Sequence, residues 1–125
     1  MIVDFKKLIG ETIIEINGLE QYSDHVIFKT ESGNTFIMFH EQDCCEKVSI
    51  EDIIGDSEYL LNSKVLDAYE STNSDLPLPN GEDKSHTWTF YTIATTKGYI
   101  TIRWLGTSTG YYSEKVTLSL LDNIS

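Results

Sequence analysis

Apolar and polar residues alternate most clearly in the last third of the chain. Residues 87–96 and 99–105 flank Lys97-Gly98 and read as a β-hairpin, and residues 112–121 give a further strand-like run after Gly110. A turn at Lys97-Gly98 places Tyr91 opposite Trp104 and Ile93 opposite Ile102, with Phe90 facing Leu105 on the other side. Nearer the start, Ile13, Ile14 and Ile16 suit a strand over residues 12–19, ending near Asn17-Gly18. Residues 25–31 and 35–40 are β-rich runs around Ser32-Gly33-Asn34. With Gly33-Asn34 as a two-residue loop, Phe28 pairs with Phe39, Thr30 with Ile37 and Val26 with Glu41. Val26, Phe28, Ile37 and Phe39 then share the core face, while Ile27 lies opposite His40 on the face that also carries His25.

Three short helical segments are expected among these strands. Asp4 is a suitable N-cap for Phe5, Leu8 and Ile9, with Gly10 as the stop. Ser49 followed by Asp52 resembles a capping box, so residues 50–54 read as a helix ending at Gly55. Asp56 or Ser57 caps a further turn through Leu61. Residues 64–70 form a strand candidate through Val65, Leu66 and Ala68. Pro77, Pro79, Asn80 and Gly81 mark residues 71–85 as the longest loop. The expected class is α+β: one domain over residues 1–125, predominantly an antiparallel sheet with short inserted helices.

The 125 residues carry a net charge of −11, and its distribution matters more than its size. Between Glu41 and Asp83 there are 12 acidic residues against Lys47 and Lys64, a net of −10. Such a stretch repels phosphate backbones, which argues against direct nucleic-acid binding and favours a basic protein surface as partner. A solvated, solubility-promoting face is the alternative use of the same charge. No apolar run reaches signal-peptide or membrane-span length, so a cytoplasmic protein with no membrane contact is expected. The two cysteines, Cys44 and Cys45, are adjacent. Their Cα atoms lie about 3.8 Å apart, below the usual disulfide range, so free thiols are expected.

Candidate chemistry concentrates in His40-Glu41-Gln42-Asp43-Cys44-Cys45-Glu46. Thiolate and imidazole are preferred zinc ligands, and His40, Cys44 and Cys45 supply three donors. Asp43 or Glu46 offers a local fourth ligand, and His25 or His86 a distant one. Adjacent side chains diverge in strands and helices, so a turn must bring the two sulfurs to one side. Buried apolar cysteines beside an ordinary hydrogen-bonded His40 are the plain alternative. A cysteine nucleophile with His40 as base and Asp43 or Glu46 orienting it has the right residue types. However, it has no glycine-rich oxyanion turn, and acidic neighbours work against a thiolate. Arg103, the single arginine, either grips an anionic ligand or pairs with a carboxylate. The C-terminal aromatic residues, without a basic groove, read as core rather than as a base-stacking platform.

The run from His40 to Glu46 continues as Val48-Ser49-Ile50-Glu51-Asp52-Ile53 and Gly55-Asp56. Taken with Thr87-Trp88-Thr89-Phe90-Tyr91, Gly98-Tyr99-Ile100-Thr101-Ile102-Arg103-Trp104 and Gly110-Tyr111-Tyr112-Ser113-Glu114, it resembles a family of small phage and prophage proteins. That family is largely of unknown function. Among phage-borne inhibitors of bacterial defence, the chain is similar to a zinc-containing inhibitor of type II CRISPR systems. The resemblance implies a non-catalytic protein of the host bacterial cytoplasm. It would bind a basic surface of the RNA-guided effector nuclease and block nucleic-acid loading, with a structural zinc at His40, Asp43, Cys44 and Cys45. The competing expectations are a sponge for an anionic nucleotide signal, built around Arg103 and aromatic residues, and a thiol-dependent enzyme.

Overall fold

The computed structural model describes residues 1–73, 78, 85–108 and 113–121. Among them are nine strands: β1 (Ile2–Val3), β2 (Thr12–Asn17), β3 (His25–Thr30), β4 (Thr35–Phe39), β5 (Lys47–Ile54), β6 (Ser63–Asn73), β7 (Ser85–Thr95), β8 (Gly98–Ser108) and β9 (Thr117–Leu121). They form one antiparallel sheet in the order β1-β9-β4-β3-β2-β6-β7-β8-β5. Strand pairing joins the two halves of the sheet through Thr12 opposite Lys64 and Ile13 opposite Ser63. A single hydrophobic cluster draws on both halves, with Val26, Phe28, Phe36 and Met38 from one and Ile50, Val65, Ile93, Ile100, Ile102 and Trp104 from the other. The sheet therefore curls around its own apolar face. At the far side, Tyr22 N–H donates to Ile50 O at 2.7 Å and Ile50 N–H donates to Ser23 O at 2.8 Å, tying the segment before β3 to β5. No helix among the described residues is long and apolar enough to cross a membrane.

The predominantly antiparallel expectation holds, but its helical part is corrected. Asp4 does cap the first turn, accepting from Lys6 N–H, and Gly10 has φ +92°, yet Phe5–Leu8 is a 3-10 turn. A cap and a stop this close leave room for a single turn, whose buried Phe5 and Leu8 anchor it to the core. Asp56 likewise caps a 3-10 turn, Ser57–Tyr59. Residues 50–54, expected to be helical, lie within β5. Val48 and Ile50 are buried while Ser49 and Glu51 are half-buried, a two-residue period that pairing with β8 stabilises over the capping-box alternative.

Strand faces were more legible than register. In the β7–β8 hairpin Thr95 pairs with Gly98, Tyr91 with Ile102, Ile93 with Ile100 and Phe90 with Arg103. This differs from the expected register by two residues, so every side chain keeps its face. In the β3–β4 hairpin Phe28 pairs with Phe36, Val26 with Met38, Ile27 with Ile37 and His25 with Phe39. That shift is odd, so Ile37 and Phe39 move off the core face expected for them. The cause is a longer turn held from outside. The Glu11 carboxylate accepts from Thr30 Oγ1 at 2.9 Å, Ser32 Oγ at 3.0 Å and Asn34 Nδ2 at 3.1 Å. Glu11→Ala is expected to destabilise the protein by about 1–3 kcal/mol in urea unfolding, because three donors lose a charged acceptor. The expected strand from Lys64 is β6, extended at both ends. Within the expected loop 71–85, Leu78 is described and buried, whereas most of its other residues lie outside the described set. The expected C-terminal strand begins at Thr117, and Tyr112 lies outside the described residues.

Candidate functional site

His40 follows β4 directly and Glu46 precedes β5, so residues 40–46 form a connection whose two ends are fixed by strands. His40 comes two residues after Met38, on the side that faces the core, and its side chain is almost wholly buried. The Glu46 side chain has no exposed surface. A buried carboxylate needs partners, and this one has four. Its Oε2 accepts from His40 Nε2 at 2.8 Å and from Asp43 N–H at 3.0 Å. Its Oε1 accepts from Cys44 N–H at 2.8 Å and Gln42 Nε2 at 3.0 Å. Burial pushes the Glu46 carboxyl up, but the donors from His40, Cys44 and Asp43 outweigh it and hold the pKa down at about 2. Gln42 Nε2 also reaches Glu46 O at 2.6 Å and Cys44 O at 3.1 Å.

The other His40 nitrogen, Nδ1, lies 2.6 Å from Lys115 O, on the segment that leads into β9. Both ring nitrogens of His40 are thus engaged by oxygens, Nε2 by the Glu46 carboxylate and Nδ1 by the Lys115 carbonyl. The pair latches residues 40–46 to a segment distant in sequence. Glu46 is the residue whose role sequence reasoning missed. It appeared there as an alternative fourth metal ligand or as a carboxylate orienting His40 beside a thiol. The pairing with His40 is seen, while the burial and the loop-closing role were not anticipated; the only signal for these is a carboxylate immediately before the alternating apolar residues of β5.

The structure brings together part of the anticipated metal set. The backbone bends at Cys44 and Cys45, and their Sγ atoms lie 2.8 Å apart on the exposed side of the loop. Hydrogen bonding to the Cys44 sulfur, with smaller contributions from burial and from the Glu46 charge, raises the Cys45 thiol pKa. Asp43 is exposed, with its backbone N–H on Glu46. His40 is turned away, both nitrogens engaged. His25 pairs with the exposed Asp24 at 2.8 Å and sits opposite Phe39, on the face away from Met38. His86 lies in β7 opposite Thr107. Among the described residues no group of three or more His, Cys, Asp and Glu side chains is arranged to hold a metal ion. Of the expected donor set His40, Asp43, Cys44 and Cys45, only the two sulfurs lie together in this arrangement, because both His40 nitrogens are taken by Glu46 and Lys115. Neither His40 nitrogen lies on a thiol.

Arg103 takes the carboxylate option. Its Nη1 lies 3.1 Å from Asp52 Oδ2, and its guanidinium carbon sits 5.1 Å from the Trp88 ring centroid and 5.7 Å from that of Phe90. With Asp52 neutralising it, the arginine is a weaker anchor for an anionic ligand.

The remaining broad surface is the outer face of β5 to β8. Tyr69 is opposite Thr92, Thr92 opposite Thr101 and Thr101 opposite Ile54, and the next row is Asp67, Ala94 and Tyr99. Ala68, Ile93 and Ile100, on the intervening row, point to the core. The outer rows thus expose Tyr69, Ile54 and Tyr99, with Leu66 exposed beside Asp67.

No curated protein and no solved structure matches the chain. Residues 6–118 match the family model for a domain of unknown function, DUF7448. That match spans the strands from β2 to β8, the residue 40–46 latch and the start of β9, and on this ground the chain belongs to the DUF7448 family.

Proposed function

We propose that this protein is a phage-encoded inhibitor that acts by binding, without catalysis, to a basic surface of a bacterial defence nuclease in the host cytoplasm. The type II RNA-guided effector is the partner suggested by the sequence resemblance. The observation that carries the reading is the pairing of exposed carboxylates with exposed aromatic and aliphatic side chains. Exposed Asp56, Glu58 and Asp67 are close in sequence to exposed Ile54, Tyr59 and Leu66, and Asp67 shares an outer row of the sheet with exposed Tyr99. Protein interfaces combine apolar and aromatic anchors with a charged rim in this way. An effector of this class holds nucleic acid in positively charged channels. A strongly acidic surface is steered toward such a channel and competes with nucleic acid for it.

The test is direct binding to a purified type II effector, with DNA cleavage as the second readout. Affinity is expected to fall steeply between low and physiological salt, as rim charges become screened. The triple variant Asp56→Lys/Glu58→Lys/Asp67→Lys is expected to bind at least about tenfold more weakly and to release cleavage from inhibition. An affinity indifferent to both salt and charge reversal would overturn the electrostatic mechanism, and no binding at all would overturn the choice of partner.

A further inference from the structure

We propose that Cys44 and Cys45 form a reversible redox dithiol, a modification site whose co-substrate is a low-molecular-weight disulfide such as oxidised glutathione. The inference is independent of the proposed function. Adjacent side chains normally diverge, but the backbone bend at Cys44-Cys45 turns both sulfurs to one side, 2.8 Å apart. Both cysteines are exposed, so a small disulfide reaches them. The bend is held by groups other than the thiols: Cys44 N–H is bound to Glu46 Oε1 at 2.8 Å, and Cys44 O accepts from Gln42 at 3.1 Å. The approach of the sulfurs is therefore built into the loop. Neither sulfur is committed to His40, whose nitrogens lie on Glu46 and Lys115.

The reaction proceeds by two exchanges. One cysteine thiolate attacks a sulfur of oxidised glutathione, forming a mixed disulfide and expelling one glutathione thiolate. The neighbouring thiolate then attacks the cysteine sulfur of that mixed disulfide, closing the Cys44–Cys45 bond and expelling the second glutathione. The two protons lost by the cysteines end on the two glutathione thiols, and the two electrons reduce the original disulfide. The product ring spans one peptide bond, whose Cα atoms are about 3.8 Å apart, short of the roughly 4.4 Å at which ordinary disulfides begin. Strain of that kind makes the bond easy to reduce, so the pair cycles rather than acting as a structural cross-link.

The experiment equilibrates the full chain in glutathione buffers of graded ratio, quenches with acid and reads intact mass and cysteine-containing peptides. The expected product is a monomer lighter by two hydrogens, with both cysteines shielded from alkylation and fully recovered by excess reduced glutathione. Cys44→Ser and Cys45→Ser should each stop at the glutathione adduct. Phenylarsine oxide, which bonds two neighbouring thiols to one arsenic with loss of water, should label wild type and neither single variant stably. A wild-type chain that accumulates the glutathione adduct, forms interchain dimers or stays reduced across the series would overturn the proposal.

Discussion

Trp104→Ala is expected to lower the unfolding free energy by about 3–5 kcal/mol, read from urea denaturation. Trp104 lies on β8 opposite Ile50 of β5 and Thr89 of β7, with none of its surface exposed. It is among the largest fully buried side chains of a core that joins both halves of the sheet. Truncation leaves a cavity that paired strands on either side cannot close, so the lost contacts add to the lost transfer energy. Domains of this size have about 5–15 kcal/mol in total, and the variant should therefore sit near the edge of folding. Trp104→Phe separates two contributions. The indole Nε1 is buried without a hydrogen-bond partner, so its removal relieves an unsatisfied donor while most of the ring volume stays. A cost below about 1.5 kcal/mol is expected for that variant. A cost equal to that of alanine would mean that the indole nitrogen has a partner in solution.

Glu46→Ala is expected to lower Tm by on the order of 10 °C and to release residues 40–46 from their latch. Four donors, His40 Nε2 among them, lose their acceptor at once. Amide exchange at Asp43 and Cys44 should accelerate, while exchange in the β7–β8 hairpin changes little. Glu46→Gln keeps the size but not the charge and should fall between alanine and wild type. The pH dependence has a definite sign. The folded carboxyl, at about 2, lies below its ordinary value of 4.5, so its contribution is fully present above pH 4.5 and disappears as pH falls toward 2. The stability difference between wild type and Glu46→Gln should hold constant from neutral pH to 4.5 and shrink below it. Thermal melts at a series of acid pH values check this. A difference that persists at pH 2 would show that the charge is not its source.

Several features were legible in single residues and their spacing. The alternation of Tyr91, Ile93, Ile102 and Trp104 marks one face of each strand whatever the pairing offset, because a shift by two residues preserves the side on which each side chain stands. Asp4 and Asp56 mark turns because a carboxylate that caps a turn reaches a neighbouring amide without help from the rest of the fold. The concentration of negative charge before residue 83 is a property of composition alone.

Several of the features that went astray depend on partners far along the chain. Local patterning favoured a two-residue turn at Gly33-Asn34, but Glu11, some 20 residues earlier in the chain, holds a longer one and flips Ile37 and Phe39 to the other face. Residues 50–54 carry both a capping pattern and a strand pattern, and only pairing with β8 chooses between them. At the loop, sequence placed His40, Asp43, Cys44, Cys45 and Glu46 together but could not allot roles. The Lys115 carbonyl, 75 positions from His40, takes one ring nitrogen and buried Glu46 takes the other, leaving the two thiols to each other. By itself, then, the sequence determined the β-rich character, the faces of the C-terminal hairpin, the capped turns and the acidic middle third, since these follow from short-range sterics and composition. Register, the strand at residues 50–54 and the chemistry of the loop were decided by tertiary structure, because buried charge and hydrogen-bonding groups take whichever partners the folded chain brings within reach.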